Sequence, residues 1–158
     1  MNQRRKFKEL FTEEMKQNDN IILLVGDVGY KIFDHLREDF PSRVINAGAS
    51  EQLMIGMAAG LAMDGKIPVC YSITPFVLYR PFELLRNYLN HESIPVKLVG
   101  GGRDKVYGYL GFSHWAEEDT KILSNLENIQ QFKPTTLSKN IFKEFLYNNK
   151  PSYLNLKR

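Results

Sequence analysis

Cysteine, histidine and tryptophan are nearly missing from this 158-residue chain, which has one cysteine, three histidines and one tryptophan. The lone Cys70 has no partner for an internal disulfide and no second thiolate for a metal cluster. Set in the apolar run Ile67-Pro-Val-Cys-Tyr, it reads as a buried packing residue. No apolar run approaches the roughly 20 residues needed to span a bilayer, and the charged start Met1 to Leu10 lacks the apolar centre of a secretory signal. A soluble protein compatible with the cytoplasm, with no membrane role, is expected. An excess of one charge is missing too: 21 Lys and Arg face 18 Asp and Glu, for a net +3. The basic residues are spread along the chain apart from Arg4, Arg5 and Lys6, so there is no nucleic-acid footprint. Repeats, low-complexity tracts and long linkers are also lacking.

What remains is 43% hydrophobic and 25% charged, enough for one globular domain over residues 1–158 that reads as a whole unit. Short apolar runs alternate with longer stretches of helical period, the pattern of an α/β domain with a mainly parallel sheet flanked by helices in three layers. Strands are predicted at Ile21 to Val25, Arg43 to Asn46, Pro68 to Ile73, Val96 to Val99, Ile129 to Phe132 and Ser152 to Leu156. Helices are predicted near Arg5 to Gln17, Tyr30 to Glu38, Glu51 to Met63, Val77 to Leu89, Glu117 to Leu123 and Leu137 to Tyr147. The helix from Glu51 carries Ile55, Met57, Leu61 and Met63 on more than one face, with Gly56, Ala58, Ala59 and Gly60 among them. An all-round apolar helix is buried, either inside a large sheet fold or against a partner surface.

Ligands of parallel α/β sheets sit beyond the carboxyl ends of the strands, so the loops after the first four strands are the places to inspect. They hold Gly26-Asp27-Val28-Gly29, Ala47 to Gln52, Ser72 to Phe76 leading to Tyr79-Arg80, and Gly100 to Asp104. Glu51, in the first turn of its helix, is either a carboxylate favoured by the helix dipole or an acid desolvated by Leu53, Met54 and Ile55 and shifted toward its neutral, hydrogen-bond-donating form. Phe76 and Tyr79 share a helix face and are either core or the aromatic wall that a flat heterocycle needs beside one directed polar group. His114 is either a proton-transfer group or a loop histidine bonded to a carboxylate. His35 and His91 read as solvated surface. Gly100-Gly-Gly lacks the dinucleotide fingerprint, Lys105 standing at the third glycine's place, and it reads, like Gly26-Asp-Val-Gly, as a tight turn. No metal-ligand spacing and no nucleophile elbow occur.

The run Arg43 to Ala62, through Ala47-Gly-Ala-Ser-Glu-Gln, followed by Pro68-Val-Cys-Tyr-Ser-Ile-Thr-Pro-Phe-Val-Leu-Tyr-Arg-Pro, resembles the pyrimidine-binding domain of transketolases. Similar domains occur in deoxyxylulose-phosphate synthases and in the β subunits of oxo-acid dehydrogenases. The likeness extends from about Leu24 to the C-terminus. It implies thiamine diphosphate as cofactor and Glu51 as the acid that bonds the aminopyrimidine nitrogen and favours the imino form, so that the cofactor acts as its own base. It further implies that Phe76 and Tyr79 line the pyrimidine pocket, that Asp27 lies near the cofactor, that His114 contacts the donor substrate and that Arg158 binds substrate phosphate. Family members carry a Gly-Asp-Gly and Asn-Asn motif for Mg2+ and the diphosphate, and that pair of motifs is lacking here. The implied enzyme is therefore split, with a separate diphosphate-binding subunit holding Mg2+, a heterotetramer as the expected assembly, and a keto or sugar compound as substrate. Leu110, Tyr109 and Gly102 stand where sugar-using transketolases place an aspartate and a phosphate-binding histidine. Keto-acid decarboxylation, oxidative acyl transfer and a non-catalytic binding role are the alternative readings.

Overall fold

The computed structural model describes residues 2–157, so Arg158 lies outside the described residues. Six strands, β1 (Ile21–Val25), β2 (Val44–Asn46), β3 (Ile67–Ile73), β4 (Lys97–Gly101), β5 (Gln130–Phe132) and β6 (Ser152–Leu156), form one sheet in the order β2-β1-β3-β4-β6-β5. Every pairing is parallel, with Leu23 between Val44 and Val69, and Val99 between Tyr71 and Leu154. The helices are α1 (Gln3–Gln17), α2 (Asp34–Asp39), α3 (Glu51–Met63), α4 (Thr74–Tyr79), α5 (Phe82–Leu84) running into a wide π turn at Leu85–His91, α6 (Asp119–Leu123) and α7 (Lys139–Tyr147).

The central strands β1, β3 and β4 are buried nearly throughout because both faces of the sheet are covered. Along β1 the side chains alternate between two cores, Ile21, Leu23 and Val25 on one face, Ile22 and Leu24 on the other. The first core closes under α1 and α7 through Phe7, Phe11, Phe142 and Phe145; the second closes under α3, α4 and α6 through Met54, Ile55, Val77, Leu78 and Leu123. The expected three-layer parallel α/β architecture is thus the one observed.

Several local expectations are corrected. The Val77 to Leu89 helix is broken: α4 starts at Thr74 directly after β3, ends at Tyr79, and the chain resumes as α5 after Pro81. Pro81 has no N–H to continue the helical ladder, a break that apolar periodicity alone reads straight through. Of the segment predicted from Tyr30, only Asp34–Asp39 is helical, because Gly29 and Lys31 take positive φ and hold a turn. Gly100 and Gly101 are strand residues rather than a turn: a Cβ on Gly100 would come 2.6 Å from Thr74 Oγ1, and one on Gly101 would come 2.7 Å from the Tyr71 hydroxyl. Close approach, not a turn, requires glycine there. His35 is half-buried, with its Nε2 3.1 Å from Thr12 Oγ1, whereas His91 is exposed as expected. Cys70 is fully buried, and burial pushes its thiol pKa well up.

Helix α3 separates the two readings of its composition. Met54, Ile55, Ala58 and Ala59 pack onto the sheet, while Leu53 is 57% and Met63 77% exposed, with Gly56 and Gly60 also on the open side. It is a surface helix of this chain with an uncovered apolar face, not an internal one.

Candidate active site

The chain steps outward from β1 to β2 and then crosses back to place β3 on the other flank of β1. That switch point opens a crevice at the strands' carboxyl ends. Gly26 leaves β1 there, Ser72 lies near the end of β3, and α3 begins at Glu51 above them. Glu51 is 1% exposed, and its Oε1 accepts a 2.8 Å bond from the Ser72 hydroxyl. Gly26 passes so close that an added Cβ would sit 2.9 Å from the same oxygen. Absence of a side chain at Gly26 therefore makes room for the carboxylate.

The other carboxylate oxygen, Oε2, accepts a 2.7 Å bond from the Arg80 guanidinium. Glu51 is buried as expected, but Leu53 turns outward, and the groups that meet the carboxylate are polar: Ser72 and Arg80 on two sides. A buried carboxylate needs such partners, because an unpaired charge away from water is strongly unfavourable. Arg80 also lies over the Phe76 ring, its guanidinium carbon 3.8 Å from the ring centroid. The two residues are one helical turn apart, and the guanidinium rests its face on the Phe76 ring while an edge N–H reaches the Glu51 carboxylate. Ala49, Ser50, Gln52 and Leu53 complete an open cleft of about 480 Å³ around Glu51 and Arg80.

His114 meets Phe76 from another direction, the rings edge to face with centroids 4.9 Å apart. It sits on a short turn, Phe112–His114, and its Nδ1 is 3.0 Å from the Ser113 hydroxyl rather than bonded to a carboxylate. Glu51, Arg80, Phe76 and His114 thus form one chain of contacts. Phe76 is half-buried and Tyr79 43% exposed, so neither is a core residue. The Tyr79 hydroxyl donates to Glu118 at 3.0 Å; partial burial and this bond push its pKa up to about 12. Tyr79 borders a second hollow of about 210 Å³, with Phe112, Ser113, Trp115 and the carboxylates Glu117 and Glu118.

Asp27, exposed and at positive φ, follows Gly26 and accepts from the Asn46 amide at 3.1 Å and the Tyr30 hydroxyl at 2.8 Å. Those two bonds hold its carboxyl below the usual range. The Asp27 side chain is tied to β2 rather than to Glu51. Tyr109 and Leu110 are exposed beside the His114 turn. Among the described residues no group of three or more His, Cys, Asp or Glu is placed to hold a metal ion, and no helix is long and apolar enough to cross a membrane.

Comparison with known proteins decides the family. The model of the transketolase pyrimidine-binding domain matches residues 1–158. The chain belongs to that family. A Methanocaldococcus jannaschii protein whose name assigns it provisionally to a transketolase C-terminal section is 33% identical over 98% of this chain and 50% of its own length. An apulose-4-phosphate transketolase subunit of Actinobacillus succinogenes is 32% identical over 81% of this chain and 42% of its own. A split-gene transketolase solved as an inactive β4 tetramer superposes with a TM-score of 0.81 at 27% identity, over 99% of this chain and 50% of that one. The chain therefore spans about half the length of these relatives. Transketolase from Campylobacter jejuni, at 18% identity and a TM-score of 0.86, shares the fold.

Ser72 and Arg80 are the site residues that sequence reasoning assigned no role. Arg80 was within reach of it, since Phe76 and Arg80 are four apart on one helix. Ser72 became visible only with the pairing of β3 beside β1.

Proposed function

We propose that this pyrimidine-binding domain serves a thiamine diphosphate-dependent, transketolase-type enzyme that moves a two-carbon keto or acyl unit between carbonyl compounds. A separate diphosphate-binding subunit completes the site, holds Mg2+ and the cofactor's phosphates, and pairs with this chain in a cytoplasmic heterotetramer. The observation that carries the reading is that one flat, nitrogen-bearing group, the Arg80 guanidinium, stacks on the Phe76 ring and donates edge-on to the buried Glu51 carboxylate. An aromatic face to stack on and a carboxylate at the edge of the stacked group suit a planar heterocycle that presents an N–H, so the residues fit the aminopyrimidine. Relatives named as transketolase subunits, such as the apulose-4-phosphate transketolase subunit of Actinobacillus succinogenes, support the division of labour.

When bound, the cofactor supplies the carbanion chemistry that breaks and makes the carbon–carbon bond. Glu51 holds a proton against the pyrimidine ring nitrogen, and Ser72 fixes its carboxylate so that the bond has one direction. Phe76 provides the aromatic wall, and Tyr79, three residues on and bordering the second hollow, is the candidate to extend it. Asp27 braces the loop that carries Gly26 past Glu51. His114, in contact with Phe76, faces the donor substrate and moves a proton at its carbonyl or hydroxyl oxygen. Arg158 is the candidate for substrate phosphate. Exposed Tyr109 and Leu110 at the expected position of a hydroxyl-binding acid favour donors other than the ordinary sugar phosphates.

The test is Glu51→Gln in the chain co-expressed with its diphosphate-binding partner, with assembly followed by light scattering and cofactor binding by calorimetry. Glutamine keeps the shape and removes the acid, so turnover is expected to fall at least about 100-fold with assembly unchanged, as for loss of a general acid–base group. Wild-type turnover by Glu51→Gln would reject the reading. Turnover of keto acids and not of ketose phosphates would replace the transketolase assignment with decarboxylation.

A further inference from the structure

Arg80 makes the two contacts that the proposed heterocycle would make. Its guanidinium is flat and cationic, stacks 3.8 Å over Phe76 and donates a 2.7 Å hydrogen bond to Glu51 Oε2. A protonated or N–H-bearing pyrimidine held by the same two residues would make the same two interactions, and two groups cannot share one ring face and one carboxylate oxygen at once. The side chain is also free to leave. It is 44% exposed, whereas the Glu51 side chain is fully buried. Arg80 lies at the C-terminal end of α4, just before the break at Pro81. Neither contact survives its rotation toward solvent, while Glu51 keeps its bond from Ser72.

We infer that Arg80 is a built-in placeholder: it fills the pyrimidine seat of the unloaded chain, neutralises the buried Glu51 carboxylate there, and swings out when the cofactor's aminopyrimidine enters. The inference rests on the reading of this cleft as the aminopyrimidine's seat. Its consequence is that ligand affinity is reduced by the fraction of time the seat is filled, because only the open population binds. A side chain stacked and ion-paired for nine-tenths of the time or more lowers apparent affinity about tenfold or more. A second consequence is protective, since an empty seat would leave a buried carboxylate without its cation.

The experiment titrates the full chain with 4-amino-2,5-dimethylpyrimidine, following amide and Arg Nε–H shifts by NMR. Arg80→Met keeps the stem and removes the guanidinium. The expected result is that Arg80→Met binds the fragment about tenfold or more tighter than the wild type, that adding Glu51→Gln abolishes the gain, and that the wild-type Arg80 Nε–H signal moves toward its free-arginine position on saturation. Equal or weaker binding by Arg80→Met overturns the placeholder and makes Arg80 a permanent wall of the site. Failure of both chains to bind the fragment also overturns it, while the cofactor reading stands or falls separately on Glu51→Gln in the two-subunit assembly.

Discussion

Gly26→Ala tests whether the site is built by a missing side chain. Gly26 does not take positive φ, so alanine is not strained by the backbone, and the substitution probes space alone. The new Cβ would lie 2.9 Å from Glu51 Oε1 and 3.0 Å from Ser72 Oγ. One of the two must move by several tenths of an ångström, and Glu51 is already held by Ser72 at 2.8 Å and Arg80 at 2.7 Å. Loss of a hydrogen bond to a buried charged group costs about 1.5–3 kcal/mol. We therefore expect Gly26→Ala to lose about 2 kcal/mol, or roughly 4–8 °C in Tm for a domain of this size. Urea denaturation of Gly26→Ala, Ser72→Ala and the double variant supplies the assay. If the methyl acts by breaking the Ser72–Glu51 bond, Ser72→Ala costs about 1 kcal/mol less in the alanine background than in the wild type. Additive losses, or a Gly26→Ala chain within about 0.5 kcal/mol of wild type, would refute the close-approach argument.

Lys97, buried at the opposite end of β4, donates to Asn148 Oδ1 at 2.5 Å and to the Lys150 carbonyl at 2.6 Å, and burial lowers its pKa from 10.5 to about 8. Its folded value is below its unfolded one, so the unfolded chain binds more protons between those values and stability rises with pH through that window. Lys97→Met is expected to be more stable than wild type at pH 7, by at most about 3 kcal/mol, and to flatten the rise between pH 8 and 10.5; an unchanged slope in urea titrations at several pH values would contradict this. Asp119, 3% exposed at the start of α6, accepts from Asn155 and Lys133 at 2.5 Å and from Tyr153 at 3.1 Å. Asp119→Ala leaves the Lys133 ammonium and the Asn155 amide without that acceptor and is expected to cost about 3–5 kcal/mol, read as a lower urea midpoint. A loss below about 1 kcal/mol would show that the network is water-satisfied.

How far the sequence carried the fold depended on whether local signals and tertiary packing agreed. In β1 a five-residue apolar run, and in β6 a run of Tyr153, Leu154 and Leu156 broken only by Asn155, is also a strand buried on both faces, and both boundaries match. At α3 the acid that opens the helix and the Asp64-Gly65 pair that closes it are local, so that span matches too. Around Pro81 they disagree: Val77, Leu78, Leu85 and Leu89 keep facing the same core across the break, and burial periodicity masks the lost hydrogen bond. At Gly100 and Gly101 the constraint comes from Thr74 and Tyr71 on a neighbouring element, which no window along the chain contains.

The site shows the same division with a chemical edge. That Glu51 is buried was legible in the sequence, yet the ion pair to a residue 29 positions later and the bond from one 21 positions later arise from the crossover of β3 past β1. A buried acid with both oxygens partnered is a stable half-site in its own right, so the proposed assembly does not have to create the acid, only to exchange its cation for a heterocycle. Leu53, exposed on α3 two residues from Glu51, lines the same cleft and belongs to the uncovered apolar face that reaches Met63. A surface that covers this face would therefore close the cleft's edge in the same step. In the proposed enzyme, assembly and cofactor binding would then be thermodynamically linked, each strengthening the other by the same factor.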